Sequence, residues 1–342
     1  MSKISVTGNK VITTISKFLR DYTVIIMLLL LSIVFTIGNP AFIRPKNLIT
    51  VLLQVSMLGV GSLGVMMVML VGGVNFAVGA SVGITTVLVA LFTVNWGVPW
   101  QLSMVLCFFV SSIMGWLMGF IIVKTGINQL VASMAFRTII KGTAFTICGG
   151  LPIYGIPQAS KILGQGRIFD VIPIPVIIFL CMAVIVAFIL NKTYYGRNLF
   201  ATGANIEAAR LSGINTGRTK IIAYTICGML GAVAGIVMYG RIGCGMPDGG
   251  AEIEMNVITA VIIGGVSLQG GEGKVFKACC GVVLIGIIAN GLTLNNLNEY
   301  IKLIVQGLVF LLAVIVDVFQ HRERKIIIEN ESSTNNEVTV TA

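Results

Sequence analysis

The chain consists mainly of long apolar stretches separated by short polar segments. A helix needs about 20 residues to cross the roughly 30 Å of hydrocarbon in a bilayer, and ten stretches come close to that length. They lie near 22–38, 48–71, 75–94, 99–123, 128–148, 171–190, 220–240, 253–267, 275–293 and 300–318. The pattern predicts an all-α, polytopic membrane protein with about ten transmembrane helices.

The composition excludes an ordinary soluble protein. Of the 342 residues, 56% are hydrophobic and only 11% are charged, and the mean hydropathy is +0.98. A soluble domain carries about 25% charged residues to solvate its surface. We therefore expect one transmembrane domain over 22–320, preceded by a cytoplasmic segment over 1–21. A polar cytoplasmic tail over 321–342 has little to bury, and we expect it to be disordered.

The distribution of basic residues predicts the orientation of this domain. If the N-terminus is cytoplasmic, most of the 23 Lys and Arg residues fall in internal segments. The external segments hold only Arg44, Lys46, Lys161, Arg167 and Arg241, and Arg137, Lys141 and Lys302 lie within or beside spans. An excess of positive charge inside predicts that both termini are cytoplasmic. Because the charges are dispersed along the chain, the net charge of +10 indicates topology and contact with lipid rather than a nucleic-acid surface.

The residues that usually carry catalysis or hold metals are sparse. The single histidine, His321, lies in a basic C-terminal stretch, and the seven cysteines fall mostly within spans without paired metal-ligand spacing. We expect no cofactor, no metal site and no enzymatic activity in this chain.

Glycine is the most informative small residue. Forty glycines are present, and several have the three-residue separation that lets helix backbones approach each other in lipid, as at 79–83, 115–119 and 231–235. Clusters at 72–73, 243–250 and 264–273 would interrupt helices. Interruptions at membrane depth are tolerated only where they are buried or line a cavity, so we expect broken or re-entrant segments.

The polar connector 196–215 differs from the other loops in its detail. Asn205 can cap a short helix, and Gly213 can end it. A short helix held between two spans, with small residues on one face and charged residues on the other, suits the groove of a soluble partner. The alternative is a solvated connector.

This connector closely resembles the coupling segment of ribose-type permeases of bacterial ABC importers, a family that also includes xylose, galactoside and autoinducer-2 permeases. The stretches 260–273, 73–79 and 311–317 are similar to other segments of the same family. The resemblance implies a permease subunit of the bacterial inner membrane, paired with an identical or different second permease subunit. Its other expected partners are soluble ABC ATPase subunits and an extracytoplasmic solute-binding protein.

The resemblance also implies site residues. The residues expected to dock on the ATPase are Asn205, Glu207, Ala208, Ala209, Arg210, Leu211 and Gly213. The residues expected in the translocation pathway or gate are Asn75, Phe76, Asn128, Ser133, Glu254 and Asn256. For these polar residues, satisfying backbone groups at helix breaks is an equal alternative.

The chain departs from the family at positions that bear on the solute. Asn75 and Asn256 are amides where family members carry acids, and the fifth-span segment 128–133 lacks the family's aromatic residue. An amide keeps hydrogen-bonding capacity for a hydroxylated solute but loses charge. The resemblance therefore implies a sugar or sugar-like solute, with pentoses, hexoses, autoinducer-2-like compounds and nucleosides all open.

The competing hypothesis is an ion-coupled secondary transporter or channel for a small polar solute. Such carriers place charged groups in the middle of spans to bind the coupling ion. From the sequence, the mid-span positions are nearly free of such groups, which favours the ATP-driven importer.

Overall fold

The protein is described here by a computed structural model covering residues 24–169, 172–251, 253–295, 297–298, 300–315 and 318. Its helices are α1 (Val24–Gly38), α2 (Pro45–Leu70), α3 (Val78–Ala90), α4 (Trp100–Thr125), α5 (Gln129–Cys148), α6 (Ile162–Gln165), α7 (Ile174–Lys192), α8 (Tyr194–Ala204), α9 (Ile206–Leu211), α10 (Thr216–Ile242), α11 (Ile253–Ile263), α12 (Val275–Leu294) and α13 (Tyr300–Ile315). Shorter elements are 3-10 turns at Pro40–Ile43 and Gln158–Lys161, a π turn at Leu91–Asn95, and an antiparallel pair of strands, β1 (Arg167–Ile168) and β2 (Ile172–Pro173). The predicted segments 1–21 and 321–342, with His321, lie outside the described residues, as does Glu252.

The described helices confirm an all-α, polytopic membrane protein. Seven of them are long and apolar enough to cross a membrane: α2, α3 with its π turn, α4, α5, α7, α10 and α12. Three more apolar helices, α1, α11 and α13, match predicted spans and have 10–17 residues each within the described part of the chain. At 1.5 Å per residue, α11 extends only about 16 Å, so the predicted span near 253–267 is a partial crossing.

The centre of the protein is formed by α2 and α3, which are packed against α10, α11 and α12. Glycine sets the closest approach of the surrounding helices. A Cβ built at Gly115 of α4 would lie 3.2 Å from the Cα of Gly228 in α10, which is closer than ordinary packing allows. This contact confirms the role in helix packing predicted for the glycine pair at 115–119.

The predicted interruption near residue 72 is present between α2 and α3. α2 ends at Leu70 and α3 begins at Val78, and Gly72 has φ +75°, a conformation that side-chain-bearing residues rarely adopt. The chain therefore leaves one helix and enters the next through a short irregular segment inside the protein.

The second interruption is a re-entrant segment, 244–251, which runs antiparallel to α3. Gly245 lies against Ala90, and the backbone of Met246 is hydrogen-bonded to the Thr86 hydroxyl through both its N–H (3.0 Å) and its carbonyl (2.8 Å). Further along, Gly250 lies against Gly79. The segment therefore follows α3 over about 16 Å of its length before α11 begins, as an irregular stretch at the glycine cluster predicted to interrupt a helix near 243–250.

Candidate functional site

The connector between α7 and α10 folds into two helices, α8 and α9, separated by Asn205. The Asn205 side-chain oxygen accepts hydrogen bonds from the backbone N–H groups of Glu207 and Ala208, both at 3.0 Å. This is the predicted N-cap. At the other end, Gly213 has φ +81°, and the N–H of Ile214 donates to the Ala209 carbonyl at 3.0 Å. α9 is therefore a short helix of about one and a half turns, capped at both ends, rather than an irregular loop.

The surface of α9 is largely exposed. Glu207, Ala208 and Arg210 are exposed, whereas Ala209 is buried against the rest of the protein. Leu211 is 88% exposed at the tip of the helix. The predicted docking residues therefore divide into an anchor, Ala209, and an outward surface that combines two opposite charges with one large apolar side chain.

α8 is held against the membrane domain at both ends. The Tyr195 hydroxyl donates to the Thr219 carbonyl of α10 at 3.2 Å, and burial raises the pKa of this phenol, so it remains a donor at neutral pH. At the other end, Gly203 meets Gly270 and Gly271, and Gly270 in turn meets Gly72; we call these four glycines the glycine junction.

The glycine junction brings three distant parts of the chain together. The N–H of Gly271 donates to the carbonyl of Leu70, the last residue of α2, at 3.0 Å. A Cβ on Gly203 would overlap both of these groups, and one on Gly270 would lie 2.6 Å from the Gly72 nitrogen. The predicted glycine-rich segment near 264–273 thus connects the coupling segment to the break between α2 and α3.

Asn75 occupies that break, and its polar atoms are both used. It is buried; its oxygen accepts from the Ala77 N–H at 2.8 Å, and its amide donates to the Cys227 sulfur at 3.2 Å. These bonds hold the turn that precedes α3 and attach it to α10. Phe76 is half-buried against the apolar core.

The start of α5 lies close to the same break. Asn128 is exposed and caps α5 by accepting from the Leu130 N–H at 2.9 Å, and the buried Ser133 hydroxyl donates to the Leu130 carbonyl at 2.9 Å. The adjacent Gln129 accepts from the Tyr224 hydroxyl at 3.0 Å and covers Gly73. Sequence reasoning missed Gln129 and Tyr224, because only the fold shows that they meet.

Asn256 lies in a different part of the protein. It is half-buried and lines a narrow pocket among α11, α12 and α13, together with Thr259, Gln306 and apolar side chains. The structure therefore does not bring Asn256 together with Asn75 and Asn128.

Glu254, at the start of α11, faces α5. Its carboxylate lies 2.5 Å from the Arg137 guanidinium, and one turn further along α5 the Lys141 ammonium lies 2.7 Å from the Asp248 carboxylate. The expectation that charged groups are nearly absent from mid-span positions is therefore wrong for α5. The signal in the sequence was the four-residue spacing of Arg137 and Lys141, which places both on one helical face.

Comparison with known proteins gives one consistent answer. Residues 47–314 match the family described as "Branched-chain amino acid transport system / permease component". The ribose import permease protein RbsC of Bacillus subtilis is 35% identical over 85% of this chain and 90% of its own length. The L-arabinose transport system permease protein AraH of Escherichia coli is 31% identical over 96% of this chain and 100% of its own length. The probable ABC transporter permease protein YphD of Escherichia coli is 29% identical over 89% and 91%.

No solved structure gives a significant match. The resemblance carried by the coupling segment is confirmed by the relatives, because they align along nearly the whole chain rather than over one motif. A permease component of this kind is not itself catalytic. The chain belongs to the family of permease components of the branched-chain amino acid transport system type, and it is a multi-pass protein of the inner membrane.

Proposed function

We propose that this protein is the transmembrane subunit of an ATP-driven importer and translocates a sugar or sugar-like solute delivered by an extracytoplasmic binding protein. The observation that carries the proposal is the link from α9 through the glycine junction to the break between α2 and α3. A partner that moves α9 displaces α8, and α8 touches both the end of α2 and the glycine-rich segment near 264–273. The names of the ribose and arabinose relatives support the choice of solute class.

The docking partner is a pair of ATPase subunits that bind the exposed surface of α9. Glu207 in the first turn and Arg210 in the last turn suit the helix dipole, and with Leu211 they offer the partner two charges and an apolar contact. ATP-driven closure of the two ATPase subunits pushes both copies of α9 and switches the pathway between outward-facing and inward-facing states.

The proposed orientation has about ten crossings and both termini in the cytoplasm. Contacts between connectors support it, because segments assigned to the same side touch each other. On the cytoplasmic side, the coupling segment meets the end of α2 and the glycine-rich segment. On the external side, Ile153 pairs with Gly245, Gln165 donates to the Arg241 carbonyl at 3.0 Å, and Asn39 donates to the Leu294 carbonyl at 3.1 Å.

The proposed translocation pathway is lined by six residues at helix breaks, at helix starts and inside the bundle. Asn75 lies in the break between α2 and α3, and Asn128 lies at the start of α5, next to the Gln129–Tyr224 contact. A movement of α8 would displace this region first. Glu254 stands at the end of the re-entrant segment. Phe76, Ser133 and Asn256 complete the proposed set and shape the pathway from positions inside the helix bundle.

The test is purification of the chain from its native cells in mild detergent, followed by mass spectrometry of the proteins that accompany it. Recovery of an ATPase with nucleotide-binding motifs supports the proposal, and a co-purified binding protein can be screened for its sugar. A chain that purifies alone, with uptake that disappears when the proton gradient is collapsed and persists without ATP, would instead establish the ion-coupled carrier.

A further inference from the structure

Two ion pairs join α5 to the segment that follows α10. Arg137 pairs with Glu254, and Lys141 pairs with Asp248, at 2.5 and 2.7 Å. Arg137 and Lys141 are four residues apart and therefore lie on the same face of α5. Their acidic partners come from the re-entrant segment and from the first turn of α11, so the two pairs form one continuous polar contact.

This contact lies at membrane depth. Arg137 is roughly 12 Å from the start of α5 and roughly 16 Å from its end, near the middle of a helix that is long enough to span the bilayer. Glu254 lies beside Gly79, in the first turn of α3, with no space left for a side chain there. The charges therefore lie at membrane depth and not in an external loop.

The cationic side chains are not enclosed by the protein. The side chain of Glu254 is only 6% exposed, but those of Arg137, Lys141 and Asp248 are 40–45% exposed. A half-exposed charge at this depth is strongly unfavourable against lipid, and such groups face a bundle interior or a water-filled cavity. This side of α5 therefore borders a polar space.

We infer that Arg137, Lys141, Asp248 and Glu254 form a polar gate that binds the solute in the translocation pathway. In the conformation described here the four groups form two ion pairs and hold α5 against the re-entrant segment. When α5 and that segment separate, the guanidinium and ammonium become free donors, and the two carboxylates become free acceptors. The inference rests on the proposed function and adds the residues that contact the solute.

The charges of the gate indicate the class of ligand. Two positive and two negative groups cancel, so the gate exerts no net attraction on an anion or a cation. Adjacent donors and acceptors do match the neighbouring hydroxyl groups of a polyhydroxylated molecule, since each hydroxyl both donates and accepts. A neutral sugar-like solute fits this arrangement, and a phosphorylated sugar, which carries a net negative charge, fits it less well.

The alternative is a static clamp that only holds two parts of the protein together. A charge swap separates the two, because Arg137→Glu combined with Glu254→Arg restores an ion pair while reversing the donor and acceptor positions. The experiment uses the complete importer, purified with its ATPase and binding protein, in liposomes. Solute uptake, ATP hydrolysis and the thermal unfolding midpoint are measured for Glu254→Gln, for the double variant, and for the control Arg167→Gln, an exposed cation in the short β hairpin.

For a gate that binds the solute, Glu254→Gln lowers the rate of uptake by about tenfold or more, the effect of losing a hydrogen bond to a charged group. The double variant recovers the unfolding midpoint but not the uptake. The control retains both. If uptake instead recovers in parallel with the unfolding midpoint, the contact is a static clamp and the inference is overturned.

A second measurement tests the polar space itself. Lys141→Cys is placed in the native chain and treated with an oxidant, with the wild type as the background for its own cysteines. Absence of a new disulfide between two copies supports an open pathway on this side of α5, whereas an efficient disulfide would show that the second permease subunit covers it and would overturn the inference. The proposed function fails separately, if no ATPase accompanies any of these proteins.

Discussion

Replacing Gly203 with alanine tests the glycine junction with the smallest possible change. A Cβ at this position would overlap the Leu70 carbonyl oxygen and the Gly271 nitrogen, and it would lie 3.0 Å from the Leu70 carbonyl carbon. These atoms belong to backbone, so no flexible side chain can move aside. The hydrogen bond between Gly271 and Leu70, now 3.0 Å, has to open or α8 has to shift outward.

The sign of the effect distinguishes a real contact from an accidental one. In a helix, alanine is more favourable than glycine by up to about 1 kcal/mol. Overpacking at the junction costs about 1–3 kcal/mol, and losing the backbone hydrogen bond costs about 0.5–1.5 kcal/mol. Gly203→Ala should therefore destabilise the protein by about 1–3 kcal/mol. Gly307→Ala in α13, where a Cβ would meet nothing within 4 Å, is the matched control and should be neutral or stabilising.

The two variants are compared by thermal unfolding in detergent and by ATP hydrolysis and uptake in liposomes. We expect Gly203→Ala to lower the unfolding midpoint by a few degrees, the shift that corresponds to a loss of about 1–3 kcal/mol in unfolding free energy. Below that midpoint we expect it to reduce uptake per ATP hydrolysed. If Gly203→Ala raises the midpoint as Gly307→Ala does, the junction is not a close contact; if only the midpoint falls, the junction does not transmit motion.

Four further substitutions test the coupling surface and the pathway. Arg210→Glu or Gly213→Glu should abolish transport while the protein remains inserted, because each alters the docking surface of α9; normal uptake in both would remove that assignment. Asn205→Ala should cost about 1 kcal/mol and weaken retention of the ATPase during purification, whereas Asn205→Asp should preserve the cap. Asn75→Leu should impair uptake without releasing the ATPase, and an unchanged uptake rate would leave Asn75 with only its structural hydrogen bonds to Ala77 and Cys227.

Local patterns in the sequence predicted the local structure well. The apolar stretches correspond to helices, and Asn205 and Gly213 delimit α9 as their chemistry requires. These features depend on residues within a few positions of one another. The length of α11 was overestimated because the apolar residues after Ile263 continue past the glycine-rich turn that ends the helix.

The long-range contacts could not be predicted in the same way. Arg137 and Lys141 were visible as charges in an apolar span, but their partners lie more than a hundred residues further along the chain. Three glycines of the junction, Gly72, Gly270 and Gly271, lie in predicted breaks, and no pattern indicated that they meet one another or Gly203. Gln129 and Tyr224 were missed for the same reason, since their hydrogen bond depends on how α5 and α10 are placed.

The re-entrant segment has a consequence for the order in which the protein is assembled. Both polar backbone groups of Met246 are satisfied by the Thr86 side chain of α3. Without α3 beside it, this stretch would expose unpaired N–H and carbonyl groups to hydrocarbon, which lipid does not tolerate. α11 is in turn too short to cross the bilayer unaided. The stretch from 244 to 263 therefore acquires its place only after α3 has been inserted, whereas α12 is long and apolar enough to insert by itself.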